Sequence, residues 1–153
     1  MDYKIIRLAP EDFPKCEEIW DMRAQRELAE QFQRELLSGN RITFVCTIGE
    51  EFVGEISLVF DTGDPDYTVK GKRIYTSRLI VRKEYKRRGL GRALLRHAAA
   101  EARKMGYSEL SVGVDLDNYP AIKLYVGEGF DCITYMGEDD DGRYMKLLKV
   151  LVP

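Results

Sequence analysis

Histidine, tryptophan and cysteine are scarce in this chain of 153 residues, at one, one and three. Nothing in it pairs a Ser or Cys nucleophile with a base: the only histidine is His97, alone, without metal partners and expected at the surface. Cys16, Cys46 and Cys132 form no CxxC and leave one odd, so they read as reduced thiols of a cytosolic protein, not a disulfide framework. They have no spacing for a metal site or a catalytic pair, and Cys46 and Cys132 are expected as strand filler. No run approaches the ~18 apolar residues that a membrane span requires. The opening MDYKIIRLAP sets acid and base around a very short apolar run and is not expected to be a signal peptide. A cytoplasmic protein without membrane partners is the expectation. Neither sign of charge dominates: 24 Lys and Arg stand against 26 Asp and Glu, a net charge of −2. The chain as a whole is therefore no polyanion binder, and any anion site must come from a local cluster.

What is present suits a single domain, 1–153, large enough to bury a core. Residues 3–8 read as a strand, 9–20 as a helix with acids near its start, and 21–37 as further helix ended by SGN. ITFVCTI and EFVGEISLVF read as strands joined by a tight Gly49-Glu50 turn, and RIYTSRLIV as a strand ending at Val81. Leu90, Leu94, Leu95, Ala98, Ala102 and Met105 fit a helix that Gly106 ends. YSELSVGVD is a strand, Asn118 and Pro120 open a helix, and the last two strands pair around EDDDG. The order β-α-α-β-β-β-α-β-α-β-β implies a mixed sheet flanked by helices, with a right-handed crossover over 73–114. The polar insert 61–73, with Asp61, Asp64 and Asp66, either borders a pocket that favours a cationic amine or is a solvated, mobile loop.

The most informative stretch is YKRRGLGRALL, 85–95. A helix N-terminus carries free N–H groups and roughly half a positive charge. Gly89 and Gly91 let a bulky anion approach the backbone, and Lys86, Arg87, Arg88 and Arg92 add full charges. A phosphate or pyrophosphate cradle follows; a solvated basic loop eased by glycines is the alternative. GxxxxGK[ST] is absent, and Leu94 stands where a dinucleotide fingerprint needs Gly or Ala. A nucleic-acid face would spread its basic residues more widely.

KRRGLG, 86–91, resembles the pyrophosphate-binding signature of the GCN5-related N-acetyltransferases, which is Gln or Arg, two residues, Gly, one residue, then Gly or Ala. Lys86 departs from it at the first position, exchanging a bidentate contact for a point charge. NYPAIKLYVGEGF, 118–130, resembles the family's Asn-x-x-Ala-x-x-x-Tyr-x-x-x-Gly-Phe segment. The good resemblance covers about residues 73–131, while residues 1–60 match only in element order.

The resemblance implies a mostly antiparallel sheet of about seven strands and the fold of acyl-CoA N-acyltransferases. It implies acetyl-CoA as donor and a small amine, or a peptide or protein amine, as acceptor. It implies that the backbone of Leu79, Ile80 and Val81 binds the pantetheine arm, with an N–H near Ile80 polarising the thioester carbonyl. Lys86, Arg87, Arg88, Gly89, Leu90, Gly91 and Arg92 would cradle the pyrophosphate, Leu90 through its N–H or by packing alone. Asn118 would bond the pantetheine arm or simply cap its helix, and Tyr125 would protonate the departing thiolate or else be a core tyrosine of its amphipathic helix. Many relatives carry a carboxylate late in the strand before the cradle, where this chain has Ser77 and Arg78. Glu55 is the first substitute as base, or else simply a charged strand residue, followed by Asp115 and Asp61; Tyr75 is a candidate for the acceptor pocket or a core residue. The family often dimerises, so a homodimer is expected. A coenzyme A sensor without turnover and a nucleic-acid-binding module are the readings from other classes.

Overall fold

The computed structural model describes residues 2–152. Its strands are β1 (Lys4–Arg7), β2 (Arg41–Ile48), β3 (Glu51–Val59), β4 (Arg73–Val81), β5 (Glu109–Asp115), β6 (Phe130–Asp139) and β7 (Gly142–Val150). Its α-helices are α1 (Arg26–Ser38), α2 (Leu90–Lys104) and α3 (Tyr119–Gly127). The strands form one seven-stranded sheet in the order β1-β2-β3-β4-β5-β7-β6. The expected crossover is present: β4 and β5 are parallel, joined through α2, whereas β1–β2, β5–β7 and β6–β7 are antiparallel. Among the described residues, no helix is long and apolar enough to cross a membrane.

Residues 2–58 with 77–98 form one compact unit, and 59–76 with 99–152 the other. In the first, the segment read as an opening helix is a 3-10 helix over Pro10–Glu18. Pro14 inside it has no N–H to give, and in an α-helix its ring would clash with the carbonyl four residues back, which disfavours a regular α-helix here. It still buries Phe13 and Cys16. Helix α1 begins at Arg26, later than the apolar spacing implies. The Asp21 carboxylate accepts the Ala24 N–H at 3.0 Å, a local bond that competes with helix. Gly39, at φ 84°, ends α1 as SGN suggests. Phe13, Trp20, Phe32, Leu36, Val45 and Phe52 form the core of this unit.

In the second unit, β4 starts with Arg73 opposite Glu109, and β5 carries Asp115 opposite Tyr144 and Gly113 opposite Lys146. Much of the insert is exposed, as a solvated loop would be, but it is also anchored at several points. Lys146, 8% exposed, donates to Asp64 at 2.7 Å and to Asp66 at 3.1 Å. The Ser111 hydroxyl donates to the Tyr67 carbonyl at 2.6 Å, and Arg73 donates to the Pro65 carbonyl at 3.0 Å. Gly113 is the seat for Tyr67, because a Cβ there would collide with the phenol oxygen. Strand β6 runs through Asp139 and β7 starts at Gly142, so the turn is tighter than the EDDDG stretch implies.

Candidate functional site

In the first unit, β4 leads into the basic corner through a backbone that departs from regular strand at Arg78, where φ is 62°. The Arg82 N–H then bonds the Val53 carbonyl at 2.8 Å, and a 3-10 turn spans Lys83–Tyr85. Arg87 and Gly89 follow with φ of 65° and 81°, and α2 begins at Leu90. Alternation of left-handed and other conformations turns successive N–H groups inward and suits a turn onto a helix start. Lys86, Arg87, Arg88 and Gly89 are exposed, as is Arg92, whereas Leu90 is 1% exposed and packs into the core. A Cβ on Gly89 would meet no atom within 4 Å, so this corner has room for a ligand. The nearby acid is already engaged, since Arg82 donates to Glu84 at 2.6 Å.

Gly54 fixes the distance at which β3 and α2 approach the end of β4. A Cβ there would lie 3.1 Å from the Ile80 carbonyl oxygen and 3.1 Å from Leu94 Cδ1. Gly54→Val is expected to cost about 1–3 kcal/mol of stability through overpacking. Denaturant unfolding checks this, with wild-type stability as the contrary result.

Glu55, from β3, is 1% exposed. Its carboxylate accepts the Trp20 indole N–H at 2.7 Å. Burial pushes its pKa up to about 7, against the opposing effects of the Trp20 bond and of the Arg78 and Arg41 charges. The Arg78 guanidinium lies 4.4 Å from the centroid of the Trp20 ring, and its Nε is buried without a hydrogen bond. Arg41, 4% exposed, donates to Glu35 at 3.2 Å and to the Ser77 hydroxyl at 3.1 Å. Ser77 and Arg78 are thus built into the surroundings of Glu55. Trp20 and Arg41 were not legible as site residues, although the chain's lone tryptophan was the available signal.

The second unit contains a cavity of about 440 Å3. Tyr67, Tyr75, Tyr125 and Tyr144 line it with Asn118. Asp64, Asp115, Asp139 and Lys146 complete its polar wall. Tyr125 is 8% exposed and packs edge-on to Phe130, with ring centroids 5.5 Å apart. Burial, with a smaller contribution from Tyr75, pushes its pKa up to about 12, so it holds its proton at neutral pH. Its hydroxyl makes no hydrogen bond among the described residues. Asn118 caps α3, its Oδ1 accepting the Ala121 N–H at 3.3 Å. Tyr75, 4.6 Å from Tyr67 between ring centroids, is a cavity residue and not simply core. Asp61 lines a different cavity, with Phe60, Lys70 and Tyr107. Tyr67, Tyr144 and Lys146 escaped the sequence reading. The two-residue period of β7 puts Tyr144 and Lys146 on one face and was the signal available.

Other expectations change. His97 is half-buried, edge-on to Phe44 with centroids 4.8 Å apart, and not a plain surface residue. Cys46 is buried as strand filler should be, but Cys132 is exposed.

The acetyltransferase (GNAT) family model matches residues 3–130. The chain belongs to that family of acetyltransferases, and its seven-stranded, mostly antiparallel sheet is the acyl-CoA N-acyltransferase fold. A GNAT-family acetyltransferase from Desulfovibrio desulfuricans is 15% identical, with 99% of this chain and 100% of that one covered at a TM-score of 0.79. The ribosomal-protein-S18-alanine N-acetyltransferase of Escherichia coli is 21% identical, with coverage of 99% and 96% and a TM-score of 0.74. PaiA N-acetyltransferase of Thermoplasma acidophilum, in complex with coenzyme A, is 20% identical, with coverage of 98% and 99% and a TM-score of 0.68. No curated protein sequence matches this chain significantly.

Proposed function

We propose that the chain works as a single domain, 1–153, that transfers the acetyl group of acetyl-CoA to a primary amine by direct attack, without an acyl-enzyme. The observation that carries this reading is the open, basic corner of Lys86 to Arg92 at the start of α2, directly after β4. Its residues suit a pyrophosphate: exposed Lys86, Arg87, Arg88 and Arg92 supply charge, and Gly89, Leu90 and Gly91 supply backbone N–H groups. The backbone of Leu79, Ile80 and Val81 would hold the pantetheine arm, and the Ile80 N–H would polarise the carbonyl. Asn118 uses its Oδ1 on the cap, which leaves its amide N–H groups to donate to that arm.

Bound acetyl-CoA supplies an activated thioester. Transfer forms a C–N bond and breaks the C–S bond. An alkyl amine with a pKa near ~10.4 is almost wholly protonated at pH 7 and must first lose a proton. Glu55, with a pKa of about 7, is the proposed acceptor of that proton, directly or through water. Tyr125 keeps its proton at neutral pH and donates it to the leaving thiolate. The second reading is a coenzyme A-binding domain without turnover, which the deep burial of Glu55, at 1% exposure, favours.

Thermal unfolding with and without acetyl-CoA tests the donor, with ADP and NAD as controls. At a hundred times its dissociation constant, acetyl-CoA should add about 2.7 kcal/mol of stability. No shift at millimolar acetyl-CoA would remove the basis for reading Lys86 to Arg92 as a donor site.

A further inference from the structure

The cavity beside Tyr125 carries an unbalanced charge. Asp64, Asp115 and Asp139 line it against a single ammonium, Lys146. That ammonium is already committed to Asp64 at 2.7 Å and to Asp66 at 3.1 Å. Asp115 and Asp139 are exposed and pair with no cation among the described residues. Tyr67, Tyr75 and Tyr144 supply aromatic wall, and the faces of such rings attract cations. The fold already holds a cation in this way, since Lys146 Nζ lies 4.9 Å from the centroid of Tyr67 and 4.6 Å from that of Tyr135. An independent observation marks the cavity as a ligand site. The Tyr125 side chain lines it, is 8% exposed, and leaves its hydroxyl without a hydrogen-bond partner among the described residues. The volume, about 440 Å3, lies in the range of small-molecule pockets. With Lys146 committed, no cation in the lining is left to pair with a carboxylate or a phosphate of the acceptor.

The geometry points to an acceptor with a second positive charge, a linear diamine or polyamine, whose distal ammonium is held by Asp115 and Asp139 while another nitrogen is acetylated. This assignment rests on reading the cavity as the acceptor side of an acetyltransferase.

Calorimetric titration without acetyl-CoA tests it apart from catalysis, with 1,4-diaminobutane, spermidine and n-butylamine as probes. The two diamine-type probes are expected to bind at least ~10-fold tighter than n-butylamine, and more weakly as salt is raised. In the double variant Asp115→Asn, Asp139→Asn that preference should vanish. Both positions are exposed. The Asp139 Oδ1 accepts the Asp141 N–H at 2.9 Å, and an asparagine side chain keeps an Oδ1 for that bond, so folding should survive. Equal affinity for diaminobutane and butylamine, or an unchanged preference in the double variant, would overturn the assignment. Thiol release from acetyl-CoA separates the two readings. Tight diamine binding without release from any amine sustains the cation site and defeats the transferase. Release with butylamine or amino acids at the diamine's kcat/KM sustains the transferase and defeats the cation site.

Discussion

Tyr125→Phe should lower kcat for acetyl transfer by about 10²–10⁴-fold, the usual contribution of a positioned proton donor, while leaving acetyl-CoA affinity within about twofold. The side chain is 8% exposed and its ring packs on Phe130, so phenylalanine preserves the packing and removes only the hydroxyl. That hydroxyl has no hydrogen-bond partner to strand among the described residues, and its deletion should leave stability almost unchanged. Its raised pKa, about 12, keeps the proton in place at neutral pH. A free coenzyme A thiolate is the weaker base, so this transfer is uphill and helps only while the C–S bond is breaking. The prompt uptake of a proton from solvent by the phenolate completes the cycle. Steady-state rates beside an acetyl-CoA titration check the prediction; a wild-type rate in the variant would give Tyr125 a purely structural role.

The second large effect is expected at Glu55. A base must be ionised to work, so the wild-type rate should rise with pH through about 7. Glu55→Gln should lose about 10²–10⁴-fold in rate together with that limb of the profile. Stability should move the other way. The folded-state pKa of Glu55 is raised from 4.5 to about 7, so its contribution is fully present below pH 4.5 and is lost as pH rises through about 7. The loss is on the order of 3 kcal/mol, and Gln in its place should flatten stability between those two pH values. The single tryptophan is a direct reporter, because Trp20 donates its indole N–H to this carboxylate. Trp20 fluorescence in the wild type should titrate near pH 7, and Glu55→Gln should abolish the transition. A pH limb that survives in the variant would assign the base elsewhere, with Asp115 next in order.

Much of the fold was readable because local pattern determines it. The i, i+4 spacing of Leu90, Leu94 and Ala98 marks α2, and the alternation of Leu110, Val112 and Val114 marks β5. The first helix differs from its expected form because apolar and acidic spacing does not tell a 3-10 turn from an α-helix, and Pro14 inside it disfavours the regular α form. In the candidate site, the basic corner and the Tyr125 segment were legible because each is contiguous in sequence. The surroundings of Glu55 were not, since Trp20 and Arg41 meet it or its neighbours from distant segments. The insert was ambiguous for the same reason: its aspartates lie 82 and 80 residues from the lysine that pins them.

The most direct test of the central claim is release of free thiol from acetyl-CoA by the wild-type chain across a panel of primary amines. The account predicts that release depends on both acetyl-CoA and an amine, and that it falls sharply in Tyr125→Phe. Binding of acetyl-CoA with no amine-dependent release across the panel would contradict it, leaving a coenzyme A-binding domain without transfer activity.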